Sequence, residues 1–222
     1  MKQPKSRHRL KSCSNVCLPY NIRGVVELAQ EAGASSWLSA RPVQEHGFAL
    51  HRSAFRDAIA LRYGWEPLDL PTHCVCGESF NTSHALSCAS GGFIVTRYNE
   101  LRDFMADLLS EVCQDVEVEP KLHPLSKNHI LHASAIKNDD AQLDVKACGL
   151  WGGRFETAFF DVRIFNPSAV LNQTASLKSV YSKHDSCKRR SYRQRVREVK
   201  MVSFTPLVFA TSGYRTCGNN NL

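Results

Sequence analysis

Three cysteines and a histidine, Cys74, Cys76, His84 and Cys88, stand within fifteen residues in the run CVCGESFNTSHALSC. Thiolates and a neutral imidazole are the ligands that close a zinc tetrahedron, and four of them this near in sequence are hard to explain as core packing. One residue separates the first pair, seven separate Cys76 from His84, and three separate His84 from Cys88. The first gap is tighter than the two to four residues common in structural zinc sites. The competing reading is a loop of reduced thiols with His73 or His84 merely exposed. A closed four-ligand site leaves no position for substrate. Its expected work is to fix a loop that could not fold alone and to present neighbours to nucleic acid.

A second chemistry lies in two apolar runs, AQLDVKACG at 141–149 and TAFFDVRIF at 157–165. If both are strands joined by a turn at Gly152-Gly153, residue 150 faces 155 and Asp144 faces Asp161, as a non-hydrogen-bonded pair with Cα atoms about 4.5 Å apart. Like charges so placed cost a sheet roughly 0.2–1 kcal/mol in water and more when buried, so a compensating cation is required. Lys146 and Arg163, two residues beyond the acids on the same face, could supply it. A hard divalent metal, Mg²⁺ or Mn²⁺, could equally do so, turning a bound water into a nucleophile and stabilising charge on a phosphate oxygen. Against this stands the usual fate of a hairpin aspartate, which is solvation or an ordinary ion pair; one bulge would undo the register.

These residues need elements to hold them. Residues 1–20 read as a basic tail and 21–71 as a helical linker, with a short helix over 25–31 and a second opened by Ser53 as N-cap and closed by Gly64 and the prolines at 67 and 71. The knuckle-like segment spans 72–92. Leu101, Phe104, Met105, Leu108, Leu109 and Val112 then recur at helical spacing, which predicts an amphipathic helix over about 97–113. Strands are expected at 116–120, 141–149 and 157–165, a basic helix at 184–199 and a buried strand at 204–213. The order helix, strand, strand, strand, helix, strand over 93–213 predicts an α/β (α+β) layered domain with one sheet, followed by a short tail at 214–222.

Composition agrees with a folded chain: 43% of its 222 residues are hydrophobic and 22% charged, which excludes disordered and collagen-like classes. The net charge of +7 is unevenly placed. Residues 178–200 hold nine bases and two acids, residues 2–11 hold five bases and no acid, and the remainder sums to −5. A compact basic patch on a neutral body points to a polyanion; most charge runs, however, are simply solvated helix faces. The nine bases directly after the aspartate strands favour phosphate tracking, with Lys183, Arg189, Arg190, Tyr192, Arg193 and Arg195 among the contacts. The other six cysteines are scattered without the spacing of a disulfide scaffold, no run reaches the roughly 18 apolar residues of a membrane span, and the basic start lacks a signal-peptide core. The expectation is an intracellular protein with no membrane partner.

The stretch from 33 to 213 resembles the carboxy-terminal end of non-LTR retrotransposon proteins that carry a restriction-like endonuclease of the PD-(D/E)XK type. The residues that carry the likeness are the knuckle-like Cys74, Cys76, His84, Cys88 with ALSC after the histidine, RYNELRDFM heading the long helix, LDVKA around Asp144, FFDVRIFNP around Asp161, and the basic helix with His184, Lys188 and Tyr192. The stretch 33–65 is similar to the segment that joins polymerase to knuckle. The resemblance implies a restriction-endonuclease-like αβββαβ core, Zn²⁺ at the knuckle, Mg²⁺ or Mn²⁺ at Asp144 and Asp161, and hydrolysis of DNA phosphodiester bonds to nick a target site. It implies a nuclear place of work, DNA and element RNA as partners, and the reverse transcriptase domain of the same element, whose motifs this chain lacks.

Two departures bear on the site. Leu143 replaces the proline lead-in to the first acid, and Arg163 stands where the general motif places lysine. In this branch the lysine comes from the following helix, which points to Lys188, with Tyr192 one turn on and Arg195 extending that face. Arginine is no proton acceptor, so Arg163 would contact phosphate. A third carboxylate completes such sites; Glu119 is preferred here and Glu100 is the alternative. The rival reading is a catalytically inactive nucleic-acid-binding relic, suggested by the chain ending at TSGYRTCGNNNL and by first residues that do not follow the family pattern.

Overall fold

The structure is a computed structural model that describes residues 49–91, 93–122, 141–150, 156–172, 174–197 and 202–211, with positions 26, 29, 34, 36–41, 43 and 44. The expected tails at 1–20 and 214–222 and the turn at Gly152-Gly153 lie outside the described residues. Among the described residues, helices α1 (Ser36–Ser39), α2 (Arg52–Tyr63), α3 (Thr82–Ala85) and α4 (Phe93–Ser110) precede a sheet of β1 (Gln114–Val118), β2 (Val145–Cys148), β3 (Thr157–Phe165) and β4 (Val202–Ala210). A 3₁₀ turn (Val170–Asn172) and helix α5 (Leu177–Arg197) connect β3 to β4.

Helix α2 starts two residues earlier than its sequence suggests, because His51 and not Ser53 is the N-cap: its ring accepts from the Ser53 amide. Gly64 ends the helix in the left-handed region at φ 69°, a conformation that costs glycine little. Helix α4 begins four residues before its expected start, and its buried stripe is rotated. Tyr98, Leu101, Met105, Ala106 and Leu109 face the sheet, while Phe104, Leu108 and Val112 of the expected stripe are exposed.

The sheet is mixed, in the order β1-β2-β3-β4, antiparallel across the first two junctions and parallel between β3 and β4. A parallel neighbour requires a crossover, and α5 provides it. Pro206, which cannot donate to a ladder, lies in the edge strand β4 opposite Asp161. The expected hairpin register holds from Cys148↔Thr157 to Val145↔Phe160. β2 itself is shorter than expected. Gln142 makes an isolated bridge to Lys121, and the Asp144 amide bonds to the Phe160 carbonyl at 3.1 Å, so Asp144 sits just past the last pair of the ladder.

Alternation along β3 divides the core. Ala158, Phe160 and Val162 join Val145, Ala147 and Leu207 against α4. On the opposite face Phe165 packs with Val180 and Tyr181 of α5, and Phe159 packs with Val196 and Leu143. Asp161 lies between these two apolar patches, on the face turned to α5.

Candidate functional site

The knuckle-like segment is built from short backbone devices. The Gly77 amide donates to the Cys74 carbonyl at 2.9 Å and the Cys74 amide to the Glu78 carbonyl at 2.9 Å, a tight turn that Gly77 makes at φ 89°. It brings Cys74 and Cys76 together. Asn81 then caps α3, accepting from the His84 amide at 2.8 Å, and the Cys88 amide donates to the His84 carbonyl at 2.8 Å. Cys74 Sγ and Cys88 Sγ come within 3.7 Å, Cys76 Sγ and His84 Nε2 within 3.3 Å, and all four ligand atoms lie within 4.8 Å of one another.

The spacing fits a metal. A disulfide holds its sulfurs about 2.05 Å apart, whereas Zn–S bonds of about 2.3 Å at tetrahedral angles put two thiolates about 3.8 Å apart. The thiols also interact electrically. Burial pushes the Cys88 thiol up, but amides at Gly91 and Ser90 and the neighbouring thiols outweigh it and bring it down to about 7. For Cys76 the Glu78 amide pulls down, while burial and the thiols of Cys74 and Cys88 prevail and raise it. One thiolate thus hinders the next, the conflict a divalent cation resolves. These four residues can bind a metal such as zinc, and among the described residues they are the only group of three or more His, Cys, Asp or Glu so gathered.

The second site is assembled from α4, β2, β3 and α5. Asp161 is 2% exposed and Asp144 6%. The Asp144 carboxylate accepts from the Tyr98 hydroxyl of α4 on one oxygen and from the Val162 amide of β3 on the other. Asp161 Oδ2 meets Lys188 Nζ at 2.6 Å, and that ammonium lies 5.6 Å from the Tyr192 ring centroid. Burial raises Asp161 to about 6; Lys188 opposes the rise and Asp144 adds to it. Burial also raises Asp144, against the hydrogen bonds from Tyr98 and Val162 and the charges of Lys188 and Arg102. Two buried carboxylates share one lysine, an oxygen-rich, net-negative pair of the kind hard cations take.

The expected cations are sorted differently. Lys146 bonds Glu117 Oε2 at 3.0 Å, so it is Lys188 that faces Asp161. Arg163 is exposed and contributes to Asp161 only through a weaker charge interaction. Glu119 is held by Arg102 through an ion pair and is not gathered into a three-ligand group with the two aspartates; Glu100 is exposed on α4. Along α5, Lys183, Arg190 and Arg193 are exposed, Arg189 is half-buried and paired to Asp185 at 2.8 Å, and Tyr192 packs against Phe204. Arg195 does not belong with the exposed cations: at 3% exposure it is part of the interior beside Val196, because it falls on the inward side of the helix.

Sequence reading missed Tyr98 and Arg102, although both stand in the RYNELRDFM run, because an aromatic and an arginine heading an amphipathic helix read as core and surface. Neither a protein-family model nor a curated protein matches this chain. Among the described residues no helix is long and apolar enough to cross a membrane.

Proposed function

We propose that the chain is a retrotransposon-derived, metal-dependent DNA endonuclease fragment with a zinc knuckle and a restriction-endonuclease-like core. The observation that carries this reading is a buried Asp161 of β3 ion-paired to Lys188 of α5, with the buried Asp144 just before β2 close enough for its charge to act on Asp161 and that of Lys188 on it. Zn²⁺ would be held by Cys74, Cys76, His84 and Cys88, and Mg²⁺ or Mn²⁺ by Asp144 and Asp161. A divalent metal bound there supplies an activated water and stabilises the charge that develops on the phosphate. Lys188 orients the attacking water or the scissile phosphate from the α5 side. Arg163, Lys183, Arg190 and Arg193 track the backbone, with Arg189 and Tyr192 beside them. The biological step is nicking of a target DNA in the nucleus, in concert with the reverse transcriptase of the same element.

A second reading keeps nucleic-acid binding without turnover. It is favoured by the engagement of both Asp144 oxygens and of Asp161 within the protein. Incubation of purified protein with DNA and Mg²⁺ or Mn²⁺, beside Asp144→Ala and Asp161→Ala, decides between them. Cleavage by the wild type alone is the expected result. Equal cleavage by all three proteins removes the catalytic assignment, and binding without cleavage by all three leaves the inactive reading.

A further inference from the structure

One turn of α4 touches both sides of the acidic site. Tyr98 donates its hydroxyl to Asp144, and Arg102, four residues on and hence on the same helix face, pairs with Glu119. The two acids are themselves joined through the backbone, since the Glu119 amide donates to the Asp144 carbonyl at 2.9 Å. Glu119 adopts φ 55°, a left-handed conformation unusual for a residue with a side chain. Such an outlier persists only when its surroundings hold it, and here an amide bond and an arginine do so. Helix turn, strand end and loop therefore form a closed circuit: Tyr98 to Asp144, Asp144 to Glu119, Glu119 to Arg102, and Arg102 back to Tyr98 along the helix.

The circuit bears directly on how Asp144 can present its oxygens. A carboxylate has about four lone-pair directions. Tyr98 occupies one on Oδ1 and the Val162 amide one on Oδ2, so the carboxylate plane is fixed and the directions left over are fixed with it. Tyr98 reaches this point because its ring packs with the α4 side of the core, among residues that include Leu109 and Val162. Arg102 is anchored by Asp103, its Nε 2.8 Å from that carboxylate, and is only 12% exposed, so its fork is oriented before it meets Glu119.

We propose that Tyr98 is a positioning residue for a divalent-metal site at Asp144 and Asp161, acting through Asp144, and that Arg102 supports it by holding Glu119 beside that acid. This rests on the metal-binding reading of the two aspartates. Tyr98 touches neither metal nor phosphate. It sets the direction from which Asp144 binds, the kind of partner whose loss typically weakens a metal site by about 10–100-fold.

The test is Mn²⁺ titration of the full chain, preloaded with one equivalent of zinc, followed by electron paramagnetic resonance. Wild type, Asp161→Asn, Tyr98→Phe and Arg102→Gln are compared. Tyr98→Phe keeps the packed ring and removes only the hydroxyl, so an unchanged thermal midpoint with Mn²⁺ affinity about 10–100-fold weaker is expected. A purely structural tyrosine would shift the midpoint instead. Arg102→Gln, which removes the guanidinium that holds Glu119, is expected to weaken Mn²⁺ in the same direction. Affinity in Tyr98→Phe within twofold of wild type overturns the proposal. Mn²⁺ binding that Asp161→Asn leaves untouched is a different result: it removes the metal reading of the aspartates, and the positioning role falls with it.

Discussion

Asp161 carries a charge that its surroundings oppose. Burial between two apolar patches raises it from 3.8 to about 6, although Lys188 stands 2.6 Å away. The folded protein therefore binds this proton more tightly than the unfolded chain. Stability from this group is greatest below pH about 4, falls as pH rises toward 6 and is level above, a loss on the order of 3 kcal/mol. His184 acts oppositely. Burial lowers it, with help from Arg163, Lys183 and Lys188, so it favours the fold above its ordinary range and penalises it as pH falls through 6.5. Asp161→Asn should leave a denaturation profile that declines less steeply between pH 4 and 6, the remainder coming from Asp144, which burial also raises; an unaltered decline would assign it elsewhere. Both aspartates were legible in the sequence because a charge inside AFFDVRIF or AQLDVKA has few reasons to be there. The hydrogen bonds to Asp144 were not. They come from Tyr98, 46 residues away, and from an amide that any residue at 162 would carry.

Helix α5 shows how one element combines packing and charge. Leu177, Val180, Tyr181 and Val196 face the sheet, and Lys188 falls midway along the same side, where an apolar side chain would otherwise pack. Its ammonium is placed there against Asp161. Lys178, Lys183, Arg190 and Arg193 point to solvent. The count of bases in the sequence could not make this division, because it depends on which side of a helix meets the sheet and on where that helix starts. It starts at Leu177, seven residues before the expected boundary, since Ser176 supplies the first-turn bonds: its Oγ accepts from the Ser179 amide at 3.3 Å and its carbonyl from the Val180 amide at 3.1 Å. The division is measurable. Changing Lys183, Arg190 and Arg193 together to glutamine should flatten the dependence of DNA affinity on salt by roughly 3 in log–log slope, with little change in stability. Arg195→Gln should do the reverse, destabilising the fold by about 1–3 kcal/mol and leaving the slope nearly as it was. Equal effects of Arg195 and its exposed neighbours on the slope would contradict the burial seen here.

At the scale of the whole molecule, the knuckle segment is tied to the same elements that hold the aspartates. Phe80 packs edge-on to Phe93 at the start of α4, with ring centroids 6.3 Å apart. Arg97, next to Tyr98, reaches the Leu86 carbonyl at 3.4 Å, and Asn166, just past the end of β3, donates to Ser87 Oγ at 3.2 Å. On the other side, Glu66 accepts from the Thr82 amide at 3.1 Å, which links the segment to the residues after α2. At Gly91, a Cβ would come 3.2 Å from the Phe93 ring and 3.7 Å from Cys74 Sγ, so segment and helix approach closely there. The four ligands were readable because their residue types are themselves the signal; the attachments were not, because they run through backbone groups and ordinary polar and aromatic side chains whose partners the sequence does not mark. Metal at the knuckle should accordingly steady more than its own loop. One zinc per chain is expected from elemental analysis of wild type, Asp144→Ala and Asp161→Ala, and its loss from Cys74→Ser and His84→Ala. Chelation should then expose residues 72–91 to proteolysis and raise amide exchange at the first turn of α4 as well, because the Arg97 and Phe93 contacts lose their partner surface. Faster exchange confined to 72–91 would show that the knuckle folds beside the sheet domain without supporting it, and unchanged zinc content in Cys74→Ser would remove the site itself.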